Sequence, residues 1–309
     1  MDLHALARRG VYVGITAWTE PTLVASGYYP PEADTAEERL RHYAAEFPVT
    51  EVDSTYYSPP SERVAQLWAA RTPADFVFDV KAYRLLTEHP TPPKSLWKDL
   101  REALPPAVAA KRNVYPRDVG REVMDEALDR FLGAPEPLRT AGKLGVVLFQ
   151  FPEYVHPVKR SYAHLDWLAA GLGSNTVGAV EFRQRAWMDD DHRETTLSFL
   201  EERGFAYVAV DEPQGFRSSM PPVAAATAPV AVVRFHGRNA QTWERKGITA
   251  AERFRYDYTE HPDELREWVP RIEALHEAGR PVHALMNNCY ADYGIRSGRL
   301  LAQLLEEAA

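Results

Sequence analysis

The chain has 309 residues, 45% of them hydrophobic and 26% charged, which is ample for a large buried core. Lys and Arg total 36 against 44 Asp and Glu, a net charge of −8. The broad positive footprint that general binding to nucleic acid or an anionic membrane requires is therefore absent, and neither is expected as a partner.

The lone cysteine, Cys289, excludes an intrachain disulfide and a cysteine-built zinc site. The opening MDLHALARRG has no apolar stretch of signal-peptide length. No run approaches the roughly 20 apolar residues of a membrane span. The expectation is a cytoplasmic protein.

The first apolar run, Val11-Tyr12-Val13-Gly14-Ile15, leads into Thr16 and Trp18. A helical pattern over 35–47 follows, with Leu40, Tyr43, Ala44 and Phe47 on one face and Thr35 and Glu38 spaced as a capping box. The second run is Thr50-Glu51-Val52-Asp53. Ser61 then caps a helix over 62–70 with a stripe of Val64, Leu67 and Trp68.

The third run, Phe76 to Lys81, precedes a long connection over 82–142. That connection holds Pro-rich stretches and a helix over 119–132, with Gly133 as its C′ glycine. Val146 to Gln150, Val177 to Glu181 and Tyr207 to Asp211 are the next runs, with helices over 162–170 and 191–203 between them. Ala231 to His236 comes next, then a second long connection over 237–261 and a helix over 262–278 stopped by Gly279. Val282 to Asn288 and a helix over 294–307 close the chain.

Continuous aliphatic and β-branched runs of this length read as strands buried on both faces. Eight of them alternating with helices predict an α/β fold, a parallel eight-stranded (β/α)₈ TIM barrel forming one domain over 1–309. An open doubly wound sheet is the alternative. It would need a glycine-rich phosphate turn after the first strand, and Gly14-Ile15-Thr16-Ala17 lacks the G-x-G-x-x-G spacing. No cofactor is expected. Both long connections follow strand C-termini, so both should cover the same rim as lids or walls.

In such barrels the active site lies at the C-terminal ends of the strands. Lys81 there could bind an anion or transfer a proton. Glu181 and Arg183 lie two apart and so share a face, as do Arg234 and His236. Glu181 could serve as acid or base, and Arg183 as an anion clamp. Arg234, His236, Arg238 and Asn287-Asn288 would form an anion cradle, with surrounding positive charge keeping His236 neutral. Asp53, Asp211 and Glu212 complete the acidic side, with a solvent-facing Glu212 as the alternative. Gln150, Tyr290 and Tyr293 add neutral partners, and Trp18, Tyr56 and Trp187 would wall the substrate. No metal is expected, because Lys81, Arg183 and Arg234 would repel a cation and no H-x-H or H-E-x-x-H spacing occurs.

These motifs together resemble the DUF72 (YecE-like) family. The matching stretches include Gly14-Ile15-Thr16-Ala17-Trp18, Glu51-Val52-Asp53-Ser54-Thr55-Tyr56-Tyr57, Phe78-Asp79-Val80-Lys81, Leu148-Phe149-Gln150-Phe151-Pro152, Val180-Glu181-Phe182-Arg183, Arg234-Phe235-His236-Gly237-Arg238 and Asn287-Asn288. The resemblance implies a TIM barrel and no particular reaction. The chain departs from the family at Asp53, usually Asn, at Cys289, often His or another polar residue, and in its longer third connection.

Three functional readings follow. The first is an enzyme on a small phosphorylated or carboxylated anion, using metal-independent acid–base chemistry by Lys81, Glu181, His236 and Asp211. The second is a metal-dependent hydrolase or isomerase on sugar or nucleic acid, using Asp53, Glu181, Asp211 and His236. The third is a non-catalytic binding module.

Overall fold

The computed structural model describes residues 2–308. Eight strands form a closed barrel in the order β1-β2-β3-β4-β5-β6-β7-β8, with β8 returning to pair with β1. They are β1 Val11–Thr16, β2 Val49–Val52, β3 Val77–Lys81, β4 Leu144–Gln150, β5 Val177–Glu181, β6 Ala206–Asp211, β7 Ala231–Phe235 and β8 Val282–Met286. Every pairing is parallel. This is the expected TIM barrel.

Register decides which side chains meet. Partners across a ladder point to the same face, and a one-residue slip would turn every side chain over. Thr16 pairs with Glu51, Gln150 with Glu181, and Val210 with Arg234. These positions point into the barrel, whereas Phe78, Val80, Phe182 and Phe235 face the helices.

Lower in the barrel lies a buried Asp79–His283 contact, between residues for which the sequence offers no pattern. His283 Nδ1 sits 2.9 Å from Asp79 Oδ2, and Val146 N donates to Asp79 Oδ1 at 2.8 Å. The ring of Tyr12 packs edge-on against His283.

The helices follow the apolar periodicity with local corrections. The Thr35/Glu38 capping box is present, and Ser61 caps its helix. In helix Glu62–Ala70 the fully buried residue is Ala65, while Val64 is 37% exposed, so the packing stripe is rotated from the expected one. Gly133 stays helical, and Ala134 caps that helix. The expected helix over 262–278 is two helices, Pro262–Arg266 and Val269–His276. Pro270 sits in the first turn of the second, where its missing N–H is harmless but where it could not continue the first.

The two long connections differ in role. The segment 237–261 turns at Gly237, whose φ is +82°, and lies over the strand ends. The segment 82–142 sends His89 to the strand-end cavity. It then runs on as short helices to helix Arg121–Gly133, which packs against helix Lys159–Leu172.

Close strand packing makes Gly14 sensitive. A Cβ there would fall 2.1 Å from the Val49 carbonyl oxygen, on the backbone of the neighbouring strand. Gly14→Ala should destabilise the fold by about 1–3 kcal/mol. For a chain of this size that is a fall of several degrees in melting temperature. An unchanged melting temperature would show that the β1–β2 ladder yields without cost.

Candidate functional site

The strand ends carry a continuous network of ionised groups. Arg234, from β7, has no solvent exposure. Its Nε and Nη2 donate to Glu51 of β2 at 2.8 Å each, and Nη1 donates to Glu181 of β5. Glu181 Oε1 also accepts from Gln150 Nε2 and from Arg183 Nε, each at 2.7 Å. Arg183 Nη1 donates to Glu212 at 2.8 Å.

The imidazole of His236 is oriented from above and below. Thr16 donates to Asn287 Oδ1 at 2.8 Å, which fixes the amide. Asn287 Nδ2 then donates to His236 Nδ1 at 2.7 Å. The other ring nitrogen, Nε2, lies 3.1 Å from Glu181 Oε1 and 3.0 Å from Arg183 Nη2. Burial and the adjacent Arg183 push the His236 pKa down to about 3, so the ring is neutral at physiological pH, as expected from the surrounding charge.

A second, more open cluster adjoins the first. Lys81 Nζ lies 2.9 Å from Asp53 Oδ1 and 5.4 Å from the centre of the Tyr56 ring. A 3₁₀ turn over Ser54–Tyr56 carries Tyr56 there, anchored by Thr55 Oγ1, which donates to the Lys81 carbonyl at 2.6 Å. Burial raises the Asp53 carboxyl, but Lys81, the neighbouring Glu51 and Arg234 together outweigh it and bring the pKa to about 2. At Glu181 burial likewise opposes ionisation, and Arg234, Arg183 and His236 overcome it and hold the group well below the usual range. Burial pushes Glu212 up to about 8 and raises Glu51 well above the carboxylate range, against the pull of Arg183 and Arg234 respectively.

Three cations (Lys81, Arg183, Arg234) thus face four carboxyls (Glu51, Asp53, Glu181, Glu212). A proton on one of the two raised carboxyls, Glu51 or Glu212, brings the cluster to neutrality, and a proton on both leaves one net positive charge. That balance lets so many charges persist out of water.

Above them opens a cavity of about 780 Å³. Its floor includes Lys81, Asp53, Gln150, Arg183 and Asn287. Tyr56 walls one side, and Trp243 and Phe254 of the segment 237–261 wall another. The Arg183 guanidinium lies 5.1 Å from the Trp243 ring centre, which adds a stacking contact. Cys289 also borders the cavity, and burial, with Asp53 and Glu20 nearby, pushes its thiol up to about 12. It is therefore a poor nucleophile.

Several expected site residues lie elsewhere. Asp211 faces outward from β6, one position out of phase with Glu212. It accepts from Trp268 Nε1 and Arg238 Nη2 at 2.7 Å each, and from the Tyr258 hydroxyl. Arg238 is held there by Asp211 and Glu267, away from the cradle expected for it. Glu212, for which solvent was the alternative, is the buried partner of Arg183.

The aromatic walls are corrected in the same way. Trp187 is stacked on Phe182, ring centres 4.0 Å apart, and donates to the Val155 carbonyl behind the barrel. Trp18 packs edge-on against Trp68 and Phe78. Asn288 ties the Tyr256 carbonyl to Ser297. Tyr290 and Tyr293 pair with each other and with Arg255 and Arg296, away from the cavity lining.

Among the described residues, no three His, Cys, Asp or Glu side chains are grouped to hold a metal ion. The carboxylates named for that role are engaged by guanidinium or ammonium groups, or, for Asp211, lie on the other face. No helix among the described residues is long and apolar enough to cross a membrane.

The fold and site define a TIM-barrel protein with a charge-balanced strand-end cavity. The profile of the family described as "Protein of unknown function DUF72" matches residues 12–309, and the chain belongs to that family. It is 30% identical to the UPF0759 protein YunF of Bacillus subtilis (strain 168), over 96% of this chain and 95% of YunF. A crystal structure of a DUF72 family protein from Thermotoga maritima MSB8 superposes with a TM-score of 0.72 at 28% identity, covering 95% of this chain and 98% of that one. Another, from Enterococcus faecalis V583, gives 0.75 at 23% identity, covering 96% and 95%.

The depressed His236 pKa has a measurable consequence. Below about pH 6.5 the unfolded chain takes up a proton that the folded chain refuses until about pH 3. This contribution to stability is therefore complete above pH 6.5 and is lost as pH falls, by up to about 1.4 kcal/mol per pH unit. Melting curves between pH 7 and 4 should fall less steeply for His236→Gln than for the native chain. Parallel curves would show that His236 is not held neutral.

Proposed function

We propose that the protein is an enzyme that binds a small phosphorylated or carboxylated molecule in the strand-end cavity and acts on it by acid–base chemistry without a metal. One observation carries the reading. Lys81 and Arg183 reach the cavity floor with side chains 13% and 12% exposed, while Arg234 is wholly sealed. Arg183 is anchored by the buried Glu181 and Glu212 and Lys81 by the half-buried Asp53, so both are positioned before any ligand arrives, and Arg217, Lys246 and Arg253 add further positive charge to the cavity lining. Preorganised cations of this kind bind anions and stabilise developing negative charge. The cavity is also of the size usual for small-molecule sites.

The residues divide by reach. Arg183 contacts the anion, and Gln150 and Asn287 orient the substrate by hydrogen bonds. Lys81, held by Asp53, donates a proton to the oxygen or carbon on which negative charge develops. Glu181 and His236 lie beneath the floor and act as positioning residues, through Arg183 and Asn287. Tyr56 and Trp243 cover the apolar part of the ligand. Asp211 and Arg238 take no part.

The test is a thermal-shift screen of phosphorylated, carboxylated and neutral metabolites, followed by turnover assays on each hit. Arg183→Ala should weaken binding of the hit at least 10-fold. Lys81→Met should lower kcat at least 100-fold with a smaller change in KM. Full turnover by Lys81→Met would remove the proposed chemistry, and hits confined to neutral compounds would remove the proposed ligand class.

A further inference from the structure

A second cavity, of about 620 Å³, lies where the segment 82–142 meets helix Lys159–Leu172. The two cavities share Tyr154 as a wall, and its hydroxyl donates to the Glu88 carbonyl at 2.7 Å. The charge of this second lining is unusual for the chain. Arg117, Arg121 and Arg160 line it with Glu88 as the acidic residue, in a protein whose acidic residues outnumber basic ones by 44 to 36.

Two of these arginines lie on aromatic rings that also line the cavity. Arg117 is 5.1 Å from the centre of Tyr115, and Arg121 is 5.3 Å from that of Trp167. Asp125 fixes the second pair, accepting from both Arg121 Nε and Trp167 Nε1 at 2.7 Å. Arg117 and Arg160 have no carboxylate partner among the described residues. Their guanidinium donors remain available to an anion, and stacked guanidinium–ring platforms accept a flat ring.

We propose that this cavity is a second binding site, for a planar aromatic ring bearing a phosphate, the chemistry of a mononucleotide. The phosphate is held by Arg117 and Arg160, and the ring lies against the platforms made by Tyr115 and Trp167. The shape of the lining supports this pairing of chemistries. A free inorganic anion would leave the aromatic surface unused, and a neutral ring would leave the arginines unneutralised. The site does not depend on the chemistry assigned to the strand-end cavity, because Lys81 and Arg183 are not part of it.

Isothermal titration of the full chain with adenosine 5′-monophosphate tests the proposal, with adenosine and inorganic phosphate as probes lacking one half of the ligand. The nucleotide should bind at least 10-fold more tightly than either. The double variant Arg117→Ala/Arg160→Ala changes exposed side chains and should keep the native circular dichroism while losing at least 10-fold in nucleotide affinity. Lys81→Ala should leave that affinity unchanged. No binding of the nucleotide, equal binding of inorganic phosphate or adenosine, or a loss seen in Lys81→Ala and not in the double variant would overturn it.

Discussion

A guanidinium removed from water needs anionic acceptors wherever water would have accepted its hydrogen bonds, because the desolvation cost of an unpaired buried ion is several kcal/mol. Arg234 meets that need with Glu51 from β2 and Glu181 from β5, strands on different sides of the barrel mouth. The pairing with Glu51 is bidentate, which adds direction to strength. Three strands are thereby tied at their C-terminal ends, and the side chains that border the cavity are placed from that tie. Glu181 passes the constraint to Arg183, Gln150 and His236, and His236 passes it to Asn287 and Thr16.

The clamp separates two kinds of cation. Arg234 is spent internally, so its charge is structural. Arg183, held by Glu181 and Glu212, and Lys81, held by Asp53, are anchored too but keep a face toward the cavity. An anchored, partly exposed cation loses little conformational entropy on meeting an anion, and this is the physical basis of preorganisation. The near-neutral count of the cluster also explains its tolerance of burial. With one proton on Glu51 or Glu212, every buried charge has an opposite one within hydrogen-bonding distance.

Much of this arrangement was legible in the residues. The apolar runs located eight strands, and the two-residue spacing within Glu181/Arg183 and Arg234/His236 placed each pair on one face. The same rule applied to Glu51 and Asp53 would have found Glu51, the main partner of Arg234. Asp211 and Glu212 show the limit of the method. Adjacent acids at a strand end differ only in phase, and the register with β7 decides that Glu212 enters the barrel and Asp211 leaves it. The tryptophans fail for another reason. Trp187 and Trp18 follow strands, but their places are set by Phe182, Trp68 and Phe78, contacts that no local spacing encodes. The buried Asp79–His283 pair joins residues about 200 positions apart and is invisible to periodicity for the same reason.

The dependence of the strand ends on Arg234 is tested most directly by a double-mutant cycle of Glu51→Gln and Arg234→Met, read by denaturant unfolding. Arg234→Met should cost about 3–5 kcal/mol, because it strips Glu51 and Glu181 of their shared guanidinium, and Glu51→Gln should cost less, because Arg234 keeps Glu181. The double variant should be less destabilised than the sum of the two by more than about 1 kcal/mol, the signature of direct coupling. Costs that add to within about 0.5 kcal/mol would contradict the clamp.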